Sequence, residues 1–163
     1  MNAQLQQVAG ELRDATARLH RLREAVPADR WSVRNDPARW SVSECVEHLN
    51  LTSAAFVPLL EAGLEQARSE PAAPHRYRRG FLGWALWKMT GPDARGRMQT
   101  TQDFVPASAP PAVAVIADFE RWQEKLLGLV AAAEGLPIDK VLMTSPFNAR
   151  MRLREGRACI FEI

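Results

Sequence analysis

The sequence predicts an all-α protein: an up-down helical bundle of three long helices plus a short or truncated C-terminal fourth helix. Three observations carry that expectation. Apolar residues recur at three-or-four spacing in three separate stretches, the signature of amphipathic helices. A capping box, Ser41 followed three residues later by Glu44, marks the start of the second. Stop signals, Pro27 and then Gly135 with Pro137, close the first and third.

Residues 4–25 read as the first helix, with Leu5, Val8, Leu12, Ala15, Leu19, Leu22 and Val26 on one stripe. Gly10 weakens the pattern without breaking it. His20 lies among Arg18, Arg21 and Arg23 and reads as part of a solvated face. Residues 27–39 form a loop, from which Trp31 can plug one end of the core. The second helix covers residues 42–67, with Val42, Val46, Leu49, Phe56, Leu60 and Gly63 or Leu64 as its buried stripe. Trp40, just before the cap, is placed to pack on Cys45 as a hydrophobic staple, which makes Cys45 a buried, inert thiol. Pro58 removes a backbone hydrogen bond, so a kink or break is expected there. His48 sits ~100° round from Leu49, on the flank of Cys45, Thr52 and Ala55, where a side chain can look into a cleft between helices.

Residues 68–80 are a proline-rich loop holding His75, Arg76, Arg78 and Arg79. Residues 81–89 read as a short helix whose aromatics, Phe81, Trp84 and Trp87, are core lids or an interface patch. Residues 91–110 are irregular. The third long helix runs over residues 111–133, with proline tolerated in its first turn and Val115, Phe119, Trp122, Leu126, Leu129 and Val130 as its stripe. Residues 138–142 read as a turn and 144–148 as a loop. The last segment, residues 150–163, has partial helical periodicity through Leu153, Arg157, Ile160 and Phe161, against which Gly156 counts. A terminal helix of that size is marginal alone and depends on packing against the other three.

At 163 residues the chain is expected to form one domain, 1–163. A formal net charge of +2 is too small to imply a nucleic-acid partner. Arg76, Tyr77, Arg78, Arg79, Arg95 and Arg97 could in principle hold a single strand, but no nucleic-acid motif accompanies them and no such partner is expected. Cys45 and Cys159 make no disulfide framework, which points to a reducing, cytoplasmic setting. No apolar run approaches the ~20 residues of a membrane span, so no membrane partner is expected.

Four segments in order, WSVSECVEHL (40–49), RGRMQTTQDFVP (95–106), FERW (119–122) and TSPFNARM (144–151), resemble the DinB-like superfamily of metal-binding four-helix bundles. The Trp-Ser-x-x-Glu-x-x-x-His-Leu element is the most specific of them. The resemblance implies a divalent metal, zinc or nickel, held by three histidines: one on the second helix, matching His48, and a His-x-x-x-His pair on the fourth. Three ligands leave a position open for water or thiolate, and the metal makes either a nucleophile near neutral pH.

The chain departs from that pattern. No histidine follows residue 150, and His20 and His75 lack the spacing to replace the pair. A truncated or frameshifted relative, ligands from elsewhere, and loss of the metal function all remain open. Beside His48 stand only Cys45, Glu44 and Glu47. The catalytic residues are unknown. The resemblance implies a metal-dependent thiol transferase or hydrolase using a small-molecule thiol or another small substrate, with a site incomplete in this chain. The alternative is a catalytically silent bundle that forms a homodimer or binds a protein partner, with Trp84, Trp87 and Ile160 as contact candidates.

Overall fold

The structure, a computed structural model, describes residues 2–71, 77, 100–146 and 148–154. These are mostly helical. Helix α1 spans Ala3–Ala25, α2 spans Val42–Arg68 and α3 spans Ala112–Ala132. Single 3₁₀ turns lie at Ala28–Arg30, Gln102–Phe104 and Ile138–Lys140. The three long helices stand within one or two residues of the spans that periodicity gives them.

Two apolar clusters fill the space between them. One joins Leu19 of α1, Trp31, Val46 of α2, and Val115, Ile116 and Phe119 of α3. The other joins Leu5 and Val8 of α1, Leu60 and Leu64 of α2, and Leu126 and Val130 of α3, with Ile138 beneath. The end of α1 thus meets the starts of α2 and α3, and the start of α1 meets their ends. α1 runs opposite to both, and α2 and α3 run the same way. Trp31, 1% exposed, plugs the first cluster as expected, and its indole donates to the Val26 carbonyl at 3.1 Å.

The expected stripe of α2 is buried at Val46, Phe56, Leu60, Gly63 and Leu64, but not at Leu49. Leu49 is 46% exposed, while Ser43, Asn50, Ser53 and Val57 are buried. Asn50 can face inward because its amide donates to the Val115 carbonyl of α3 at 3.1 Å; a buried polar group needs such a partner. Pro58 does not break α2. It lies on the exposed side, as does Ala54, whose carbonyl would have accepted the missing amide, so water can satisfy it.

After α3 the expected turn is present as the 3₁₀ turn Ile138–Lys140, but the expected loop and helix start give way to a two-stranded antiparallel hairpin, β1 Leu142–Ser145 and β2 Asn148–Arg154. Where the sequence suggests the beginning of a short fourth helix, residues 148–154 are therefore strand; residues 155–163 lie outside the described residues. So does the expected short helix over 81–89. Tyr77 is clamped into the second cluster. Its backbone exchanges two hydrogen bonds with the Gln4 amide, at 2.9 and 3.2 Å, and its hydroxyl donates to the Ala133 carbonyl at 3.1 Å.

Candidate functional site

The start of α2 is fixed from two sides. The Ser41 amide donates to the Glu44 carboxylate at 2.7 Å and the Glu44 amide donates to the Ser41 hydroxyl at 3.3 Å, which completes the capping box. From the preceding loop, Arg34 donates to the same carboxylate from Nε and Nη2, with Nε to Oε2 at 2.8 Å. Chiefly because of Arg34, and further through Ser41, the Glu44 carboxyl is held down at about 2 despite burial, which acts the other way. Glu44 in turn raises the Arg34 guanidinium. Glu44 is thus engaged in structure and is not a ligand paired with His48.

One turn further, His48 is half-buried. Its Nδ1 lies 2.8 Å from the carbonyl oxygen of Phe104. A carbonyl only accepts, so Nδ1 carries the proton, and in the neutral ring Nε2 keeps its lone pair. Phe104 is buried and closes the 3₁₀ turn Gln102–Phe104. The His48 ring also packs on Trp40, centroids 5.1 Å apart and planes tilted by 49°. Two separated motifs, the capped WSVSECVEH stretch and the Phe-x-Pro of residues 104–106, therefore meet at this imidazole. The sequence pointed to His48 but gave no role to Phe104 or Arg34, because a backbone carbonyl acceptor and an ion pair across a loop leave no spacing signature.

Trp40 sits against His48, and Cys45 is exposed rather than the buried thiol expected, and unpaired by disulfide. Partial desolvation, with the Glu44 charge beside it, pushes the Cys45 thiol up, opposite to the effect of a helix N-terminus. His20 lies on the exposed face, as expected, with Nε2 2.6 Å from the Glu120 carboxylate of α3. Tyr77 is buried and unavailable for stacking on a base. His75, Arg76, Arg78, Arg79, Trp84, Trp87, Arg95, Arg97, Cys159 and Ile160 lie outside the described residues.

Against a metal centre, the residues present fit at one position only. His48 has the mount of a metal-binding histidine, one nitrogen hydrogen-bonded to a carbonyl and the other available. Among the described residues, however, no group of three or more His, Cys, Asp or Glu side chains could hold a metal ion. A closed three-histidine centre does not fit them. No helix among the described residues is long and apolar enough to cross a membrane.

Searches of curated proteins and of solved structures return no match to this chain. The DinB superfamily model matches residues 11–158, a span that takes in the capped α2, the Phe104 turn, α3 and the hairpin. With its helical bundle and its inward imidazole on the second helix, the chain belongs to the DinB superfamily.

Proposed function

We propose that this protein is a metal-dependent enzyme of the DinB type, a transferase using a small thiol or a hydrolase, in which His48 is the metal ligand contributed by the second helix. The observation that carries this reading is the Nδ1 to Phe104 carbonyl hydrogen bond. It fixes the tautomer and the ring's orientation, and a ligating histidine needs both. When bound, zinc or nickel supplies Lewis acidity that lowers the pKa of a coordinated thiol or water.

The chain's own residues prepare the position. The capping box and Arg34 set where α2 begins and so where His48 lies. Phe104 orients the ring, and Trp40 covers one side of it. Further donors would come from outside the described residues or from the substrate.

The test is the metal content of protein isolated without chelator. The reading expects roughly one zinc or nickel per chain, lost in His48→Ala with the helical circular-dichroism signal retained. A metal-poor wild type that also takes up neither ion on titration would refute it, as would His48→Ala protein with undiminished metal.

A further inference from the structure

We infer that Asn50 is a positioning residue for His48: its buried amide fixes the register of α3 against α2, and that register brings the Phe104 carbonyl onto the imidazole. The inference rests on the reading of His48 as a ligand for its place in the chemistry, but the device itself is read from the protein without a metal.

Asn50 lies on the inner stripe of α2, in line with Val57 and Leu64 at seven-residue intervals. Val57 and Leu64 are buried and apolar. Asn50 is buried too, and its Nδ2 donates to the Val115 carbonyl of α3 at 3.1 Å and to the Glu47 carboxylate at 3.4 Å. Its Oδ1 has no partner among the described residues. An unpaired buried acceptor costs stability, and a leucine there would bury more apolar surface. What the amide adds is direction. A hydrogen bond to one carbonyl of the facing helix is made in one register and lost in the others, as with a lone asparagine in a coiled-coil seam.

That register reaches the imidazole. Val115 stands in the first turn of α3, which begins at Ala112, and Phe104 closes the 3₁₀ turn that precedes this helix. Residues 105–111 join the two, with Pro106, Pro110 and Pro111 among them, and each proline fixes its own φ. Movement of α3 along α2 is thus passed to the Phe104 carbonyl. A slide of one turn, ~5.4 Å, parts it from His48 Nδ1, which lies 2.8 Å away. Val46 also packs with Val115, Ile116 and Phe119 across this seam, but apolar contact is non-directional and selects a register less sharply than a hydrogen bond does.

The experiment compares the histidine rings of full-length wild type, Asn50→Leu and Leu60→Ala by long-range proton–nitrogen NMR, with circular dichroism as the check on folding. Asn50→Leu is expected to keep its helical signal and a cooperative melt yet to lose the single Nδ1-protonated form of His48, the ring passing to a mixture of tautomers. Leu60→Ala opens a cavity in the other cluster; it is expected to melt at lower temperature and to keep the tautomer. Should Asn50→Leu fail to fold, Asn50→Ala carries the same test. A folded Asn50 variant with His48 still wholly protonated at Nδ1 overturns the inference and leaves the ligand reading of His48 standing. Loss of the tautomer in Leu60→Ala as well overturns it too, since any destabilisation would then have that effect. A wild type whose tautomer depends on Asn50 but which takes up neither zinc nor nickel supports the positioning role and sinks the ligand reading.

Discussion

His48 differs from His20 in what its nitrogens face. His48 places Nδ1 against a buried backbone carbonyl, whereas His20 meets a carboxylate on the exposed surface. A carbonyl only accepts, so it places a proton on Nδ1 without adding a charge beside the ring. Glu44, one turn away, is the opposite case, a carboxylate held ionised by Arg34. Its folded-state pKa, lowered from 4.5 to about 2, lies below the unfolded value. Its stabilising contribution is therefore present above about pH 4.5 and is lost as pH falls toward 2. Denaturant melts across that range should show stability declining with acid in the wild type and a flatter decline in Arg34→Ala; equal slopes would mean that the ion pair does not hold Glu44 down. At this scale the sequence disclosed Ser41, Glu44 and His48, whose spacing is local. It misplaced Cys45 and Leu49: Leu49 is exposed beside the buried stripe of Val46, Phe56, Leu60 and Leu64, which Asn50 and Val57 join instead. Asn50 does not read as a core residue until its partner, the Val115 carbonyl, is known.

At the scale of elements, the helices were legible because periodicity, caps and stop signals agree along each. Their glycines allow an opposed pair of tests. Gly128 is exposed within α3 and an added methyl meets nothing within 4 Å, so Gly128→Ala should stabilise by about 1 kcal/mol through helix propensity. Gly135 ends the same helix at φ +76, where a side chain is strained, so Gly135→Ala should destabilise by about 1 kcal/mol. Chemical denaturation of the two variants checks both signs. The hairpin is masked in the sequence by the partial helical spacing of Leu153, Arg157, Ile160 and Phe161. The stretch from Ala149 to Arg154 alternates apolar and basic residues, which is the two-residue period of a strand. A strand so short needs its partner, Leu142–Ser145, to be recognised.

Across the whole molecule, the site is a product of assembly. His48 and Phe104 are 56 residues apart, and they meet because α2 and α3 run the same way, so that the turn before α3 lies beside the start of α2. Periodicity says which residues are buried but not which helix runs beside which, so this contact was beyond the sequence even though both motifs were visible in it. The tautomer of His48 therefore reports the assembled fold and the candidate site together. Long-range proton–nitrogen NMR of the histidine rings should show His48 protonated at Nδ1 with a bare Nε2 whose resonance moves on adding zinc, while His20 keeps its position. A His48 ring protonated at Nε2, or a bare Nε2 that zinc leaves unmoved, would contradict the account.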